Sequence, residues 1–185
     1  MQLWRKVSSG LIHRQSFHGF AFSVFVLLWS LMAFEPALAD SLPAPEGDVL
    51  LTVSGDLKYP NADNQALLDM ALLESLPVEE FTTNTPWSDG PQNFKGVRLS
   101  VLFDTIGAST TRFVAEGLDD YKFTFEGIDF VRYPIIIAYE QNGGSISVRN
   151  LGPLRIMFPF DDHPELLNHK NESSAVWQLI SIELL

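Results

Sequence analysis

Hydrophobic and polar positions change rhythm several times along this chain, and each change marks an element. Val49 to Ser54 is β-branched and apolar and closes on Gly55-Asp56, the pattern of a first strand. Asp63 and Asn64 precede Leu67, Leu68, Ala71 and Leu72, whose spacing predicts a short capped helix ended by Pro77. Extended chemistry returns over Glu79 to Asn84, a loop runs from Pro86 to Pro91, and Phe94 to Val97 reads as a short strand or turn. A second helix is predicted over Leu99 to Ile106, its face formed by Leu99, Leu102, Phe103 and Ile106, with Gly107 where a C-cap glycine belongs. The remainder is mostly β. Strands are expected over Phe113–Ala115, Tyr121–Phe125, Ile135–Tyr139, Ile146–Val148 and Leu154–Phe158, with a last one over Ala175–Leu185. Asn142-Gly143-Gly144 is a hairpin signal, because these residues tolerate positive φ. The order is mixed and lacks a regular βαβ alternation, so the expected class is α+β, a mixed β-sheet core with short helices.

The first 39 residues have a different pattern. Arg5, Lys6 and Arg14 precede a nearly unbroken apolar run from Gly19 to Phe34, and Ala37-Leu38-Ala39 supplies the small residues of a cleavage site. This is the three-part form of a secretory signal. The apolar run is shorter than the roughly 20 residues that span a bilayer. The expected organisation is therefore a signal over 1–39, a flexible Pro- and Gly-containing lead-in over 40–48, and one domain over 49–185. The localisation expected is the periplasm or another exported compartment, with cleavage near Ala39. An uncleaved N-terminal anchor is the other outcome of the same pattern.

Composition narrows the function classes. Full-length net charge is −11; loss of Arg5, Lys6, Arg14 and Glu35 leaves 9 basic and 22 acidic residues, a charge of −13. Nucleic-acid binding needs Lys and Arg against phosphates, so nucleic acid is not an expected partner. There is no cysteine, which removes thiol nucleophiles, thiolate metal sites and disulfides. No nucleophile elbow, phosphate-binding glycine loop or dinucleotide fingerprint occurs. His163 and His169 lie in a polar, loop-like stretch without a rigid set of further donors, so no metal site is expected. The acidic doublets Glu79-Glu80, Asp119-Asp120 and Asp161-Asp162 are poor catalytic dyads, since neighbours on a strand point to opposite faces. No catalytic residue is identified. The segment Val148 to Arg155 stands apart. Arg149 and Arg155 bracket a Gly-Pro turn in an acidic chain, which suggests either structural ion pairs or an anion pocket.

Trp87-Ser88-Asp89-Gly90, followed by Phe94-Lys95-Gly96-Val97-Arg98-Leu99 and a helix ending Ile106-Gly107-Ala108, resembles the core of the sulfite-oxidase-type molybdopterin-binding domain. Pro134 to Tyr139 running into Gln141-Asn142-Gly143, then Gly152 to Pro159 and Val176 to Ile180, extend the resemblance over about Val49 to Leu184. More narrowly, Thr85-Pro86-Trp87, Ser147-Val148-Arg149, Gly152-Pro153 and Asp161 to Leu166 resemble small exported proteins built from this domain alone. The resemblance implies a pterin pocket lined by these loops and a metal held by one cysteine. At the matching position this chain has Thr83, a neutral hydroxyl where a soft thiolate would suit the metal.

Two functions follow from the resemblance. In the first, the chain is a small-ligand-binding or sensory module. Thr83, Asn84, Trp87, Asn142, Arg149 and Arg155 then line a cleft for a small, anionic ligand, and a membrane-bound signalling protein is the partner. In the second, it is a molybdopterin-dependent oxidoreductase whose metal is held without a protein thiolate. Arg149 and Arg155 then hold the pterin phosphate or an oxyanion substrate.

Overall fold

The structure, a computed structural model, describes residues 42–185, so the proposed signal and the start of the lead-in lie outside the described residues. Leu51 and Val53 are buried while Thr52 and Ser54 are half-buried, the period-two pattern of a strand with one face on a core. This strand, β1 (Leu51–Ser54), lies parallel to β10 (Leu179–Leu184) and antiparallel to β2 (Gln65–Leu68). With β5 (Phe113–Gly117) and β6 (Lys122–Phe125) they form a five-stranded sheet in the order β2-β1-β10-β5-β6. A second sheet is antiparallel. It contains β3 (Val78–Thr83), β4 (Gln92–Arg98), β7 (Ile136–Gln141) and β8 (Gly144–Ser145), and β9 (Arg155–Met157) also pairs with β7.

The main core lies between the sheets. Leu51, Val53, Phe113 and Ile182 come from the first, and Val97, Ile137, Tyr139 and Ile156 from the second. Helix α2 (Leu99–Ile106) adds Leu99, Leu102, Phe103 and Ile106. Gly107 ends it in the left-handed region at φ 65, where a Cβ would meet Lys58 and Tyr59 at 2.7 and 2.9 Å. The opposite face of the second sheet carries its own cluster of Phe81, Phe94, Ile136, Ala138, Ile146 and Met157. Strand β7 is thus buried on both faces, which explains why Ile135 to Tyr139 reads as a continuous apolar run.

The mixed α+β class holds, with local corrections. The helix expected after Asn64 is instead β2 followed by the six-residue α1 (Met70–Ser75). Its cap is Asp69, whose carboxylate accepts from Leu72 N at 2.8 Å and from Glu46 N and Gly47 N at 2.7 Å each. Those last two bonds, with Asn61 Nδ2 donating to Pro43 O at 2.7 Å, tie down the lead-in from Pro43 to Gly47. The strand expected over Ile146–Val148 is only Gly144–Ser145, because Val148–Asn150 closes into a 3-10 turn capped by Ser147. The final strand begins at Leu179, since Gln178 adopts a left-handed φ of 50. The polar stretch around His169 contains a short helix, α3 (His169–Ser174), capped by Asn168. Among the described residues no helix is long and apolar enough to cross a membrane.

Candidate functional site

Strand alternation puts an arginine where an aliphatic residue would be expected. In β9, Ile156 faces the main core while Arg155 and Met157 face the other side of the second sheet. Arg155 pairs in register with Ala138 and is only 3% exposed. Its guanidinium carbon lies 5.4 Å from the Phe94 ring centre and 5.9 Å from those of Trp87 and Trp177. Trp87 packs edge-on against Trp177 at 5.7 Å and Phe160 at 6.3 Å. The cation therefore sits among three rings whose electron-rich faces attract it, an effect that partly offsets lost hydration.

This arrangement leaves hydrogen-bonding capacity unused. The buried Nε and Nη2 of Arg155 have no hydrogen-bond partner among the described residues, and Arg155 makes no ion pair there. Burial lowers its pKa to about 10, which still leaves the group charged at neutral pH.

Arg155 lines a cavity of about 480 Å³, within the range of small-molecule sites. Trp87, Phe94, Ile146 and Leu151 supply apolar walls. Polar groups come from Thr85, Ser88, Gln141, Asn142, Ser145, Arg149 and Asn150. Two arginines and no carboxylate line it, although the whole chain carries a charge of −11. Thr85 Oγ1 and Ser88 Oγ share a hydrogen bond of 2.6 Å. Asn142 is held by Asn93 N, which donates to its Oδ1 at 2.9 Å, and by its own Nδ2 donating to Gln92 Oε1 at 2.7 Å. Arg149 is exposed on the 3-10 turn and makes no ion pair among the described residues. The structural ion pairs that the two arginines suggested in the sequence are thus absent among the described residues.

Of the residues singled out in the sequence, Trp87, Asn142, Arg149 and Arg155 come together on this cavity. Thr83 and Asn84 are not among its lining residues. Thr83 is 1% exposed; its hydroxyl accepts from Asp161 N at 3.1 Å and donates to Asn84 O at 3.2 Å. Asn84 N and Nδ2 both donate to Asp161 Oδ2 at 2.9 Å. These residues fasten the end of β3 to the loop after Phe160. Phe94 and Trp177, which complete the ring cage, have no local signal of that role, since each reaches Arg155 from a distant part of the chain. Among the described residues no group of three or more His, Cys, Asp or Glu side chains is placed to hold a metal ion.

No protein-family model matches this sequence, and no curated protein matches it. The chain is similar to the solved sulfane dehydrogenase SoxCD from Paracoccus pantotrophus, with a TM-score of 0.56 and 15% sequence identity. The likeness covers 78% of this chain and 40% of that one, so this chain spans well under half of the structure it matches. At such identity the relation is one of fold.

Proposed function

We propose that this chain carries the sulfite-oxidase-type molybdopterin-binding domain fold and works as an exported module that binds or senses a small anion, with a membrane-bound signalling protein as its partner. One observation supports the reading above the others: the buried, charged guanidinium of Arg155 lines a cavity with two of its nitrogens unpartnered. An isolated buried cation is costly, and a buried donor without an acceptor adds to that cost. A planar oxyanion or carboxylate seated against the guanidinium would supply the missing counter-charge, and anions of this shape are the usual acceptors of guanidinium N–H bonds. Arg149 supplies a second cation at the exposed rim, while Trp87 and Phe94 keep the inner part of the site apolar.

Molybdopterin is the group implied by the family resemblance, and the site fits it in part. Arg155 and Arg149 suit a phosphate or another anionic end. The metal does not fit this chain's donors. Thr83 directs its hydroxyl into bonds with Asp161 and Asn84, and no thiolate exists anywhere in the sequence. The second reading, an oxidoreductase whose metal is held by the pterin alone, is favoured by the fold likeness to a sulfane dehydrogenase.

Metal analysis together with calorimetric titration against sulfate, nitrate and acetate separates these readings. The binding module is expected to lack stoichiometric molybdenum when purified from its native compartment. It should bind at least one of the anions saturably, and Arg155→Met should abolish that binding. Near-stoichiometric molybdenum would replace this reading with the oxidoreductase. Anion binding that survives Arg155→Met would remove the site from this cavity.

A further inference from the structure

The cavity that holds Arg155 changes character with depth. Arg155, Phe94 and Ile146 are its buried lining residues, Trp87 and Leu151 are half-buried, and Asn142, Ser145, Arg149 and Asn150 are exposed at its mouth. From the buried end outward the wall therefore runs from a cation, through apolar side chains, to a second cation. No Asp or Glu lines it, so its wall carries two positive charges with no carboxylate beside them.

The outer cation stands on a backbone that is fixed. Asn150 N and Gly152 N both donate to Ser147 O at 2.9 Å, and Leu151 N donates to Val148 O at 3.1 Å from a left-handed φ of 69. Gln178 Nε2 donates to the same Val148 oxygen at 2.9 Å, which ties the turn to the chain before β10. Arg149 makes no ion pair among the described residues.

Size narrows the ligand further. An inorganic oxyanion displaces about two or three waters, on the order of 60–90 Å³ at roughly 30 Å³ each. The cavity is about 480 Å³, so such an ion would leave most of it, including the apolar wall, to water.

We propose that the occupant is an elongated organic dianion of the α,ω-dicarboxylate class. One carboxylate meets the charge of Arg155, an apolar middle lies along Trp87, Ile146 and Leu151, and the second carboxylate meets Arg149 at the mouth. The inference rests on the anion reading above and names the class of ligand within it. Two negative charges match the two on the wall, whereas a cationic ligand would meet both arginines without a counter-charge. A monocarboxylate of equal length would satisfy the inner group alone.

The test is a calorimetric titration with pairs of equal carbon number: glutarate against pentanoate, adipate against hexanoate, suberate against octanoate. At the length that bridges the two arginines, the dicarboxylate is expected to bind about threefold or more tighter than its partner, the scale of one partly exposed ion pair. Arg149→Met should bring that ratio close to one, and Arg149→Lys, which restores the charge, should recover most of it. Two results overturn the inference while Arg155-dependent anion binding persists: ratios near one at every length, or a preference that survives Arg149→Met. Those outcomes leave the anion reading in place. If no anion of either series, nor sulfate, nitrate or acetate, binds in an Arg155-dependent way, the anion reading itself fails and this inference fails with it.

Discussion

A guanidinium shut among Trp87, Phe94 and Trp177 is a destabilising group in the unliganded protein, and this has a measurable sign. Three ring faces recover part of the lost hydration, but two buried nitrogens stay unpartnered. Arg155→Met keeps much of the side-chain volume and removes the charge. In anion-free buffer the variant is therefore expected to be more stable, by about 1–3 kcal/mol, read from the urea midpoint at unchanged m-value. A less stable variant would mean that Arg155 is already satisfied in the folded protein. Thr83 behaves in the opposite way. Its hydroxyl joins Asp161 N to Asn84 O, so Thr83→Val should cost on the order of 1 kcal/mol and leave anion affinity intact. Thr83→Cys, for the same reason, is expected to gain no metal, because the side chain at this position faces backbone groups. Metal retention by that variant would show that the side chain reaches the cavity.

At the scale of elements, short-range patterns were legible and long-range ones were not. Helix α2 is readable because Leu99, Leu102, Phe103, Ile106 and the αL Gly107 lie within nine consecutive residues. The segment before it misleads. Leu67, Leu68, Ala71 and Leu72 fall at helical spacing, yet that set straddles a strand and a helix separated by Asp69. Only the pairing of β2 with β1 decides between the two, and that partner lies outside the local window. The candidate site divides in the same way. Trp87, Asn142, Arg149 and Arg155 can be named from motifs, whereas Phe94 and Trp177 join the cage through sheet register and the turn at Gln178. Two predictions belong here. Asp69 caps α1 and holds Glu46 and Gly47, and its backbone hydrogen bonds, that from Leu72 foremost, keep its pKa below the ordinary aspartate value. Its stabilising effect is thus complete above about pH 4, the unfolded value, and is lost as pH falls through the lower folded value. Unfolding midpoints measured from pH 7 to pH 2.5 should show this acid loss shrink in Asp69→Asn. Gly152 packs so closely on Ile146 that a Cβ would overlap the Ile146 carbonyl. Gly152→Ala should therefore displace the wall shared by Ile146 and Leu151, lower stability by more than about 1 kcal/mol, and weaken anion binding in calorimetry.

At the scale of the described fold, two sheets share a core, the central strand β7 of the second is buried on both faces, and the cavity lies on the outer face of that sheet. The mixed class could be read from element order, but which face would carry the site could not. That depends on β9 placing Arg155 beside Ala138, opposite in direction to Ile156. The acidic charge of the chain makes the cavity stand out, since among the described residues its only charged lining side chains are the two arginines. The decisive measurement is the Arg155 Nε–H resonance, assigned by its absence in Arg155→Met, followed while sulfate, nitrate or acetate is added. An anion seated on the guanidinium should move that resonance downfield to saturation and slow its exchange with water. A resonance unchanged through all three titrations would contradict the anion site.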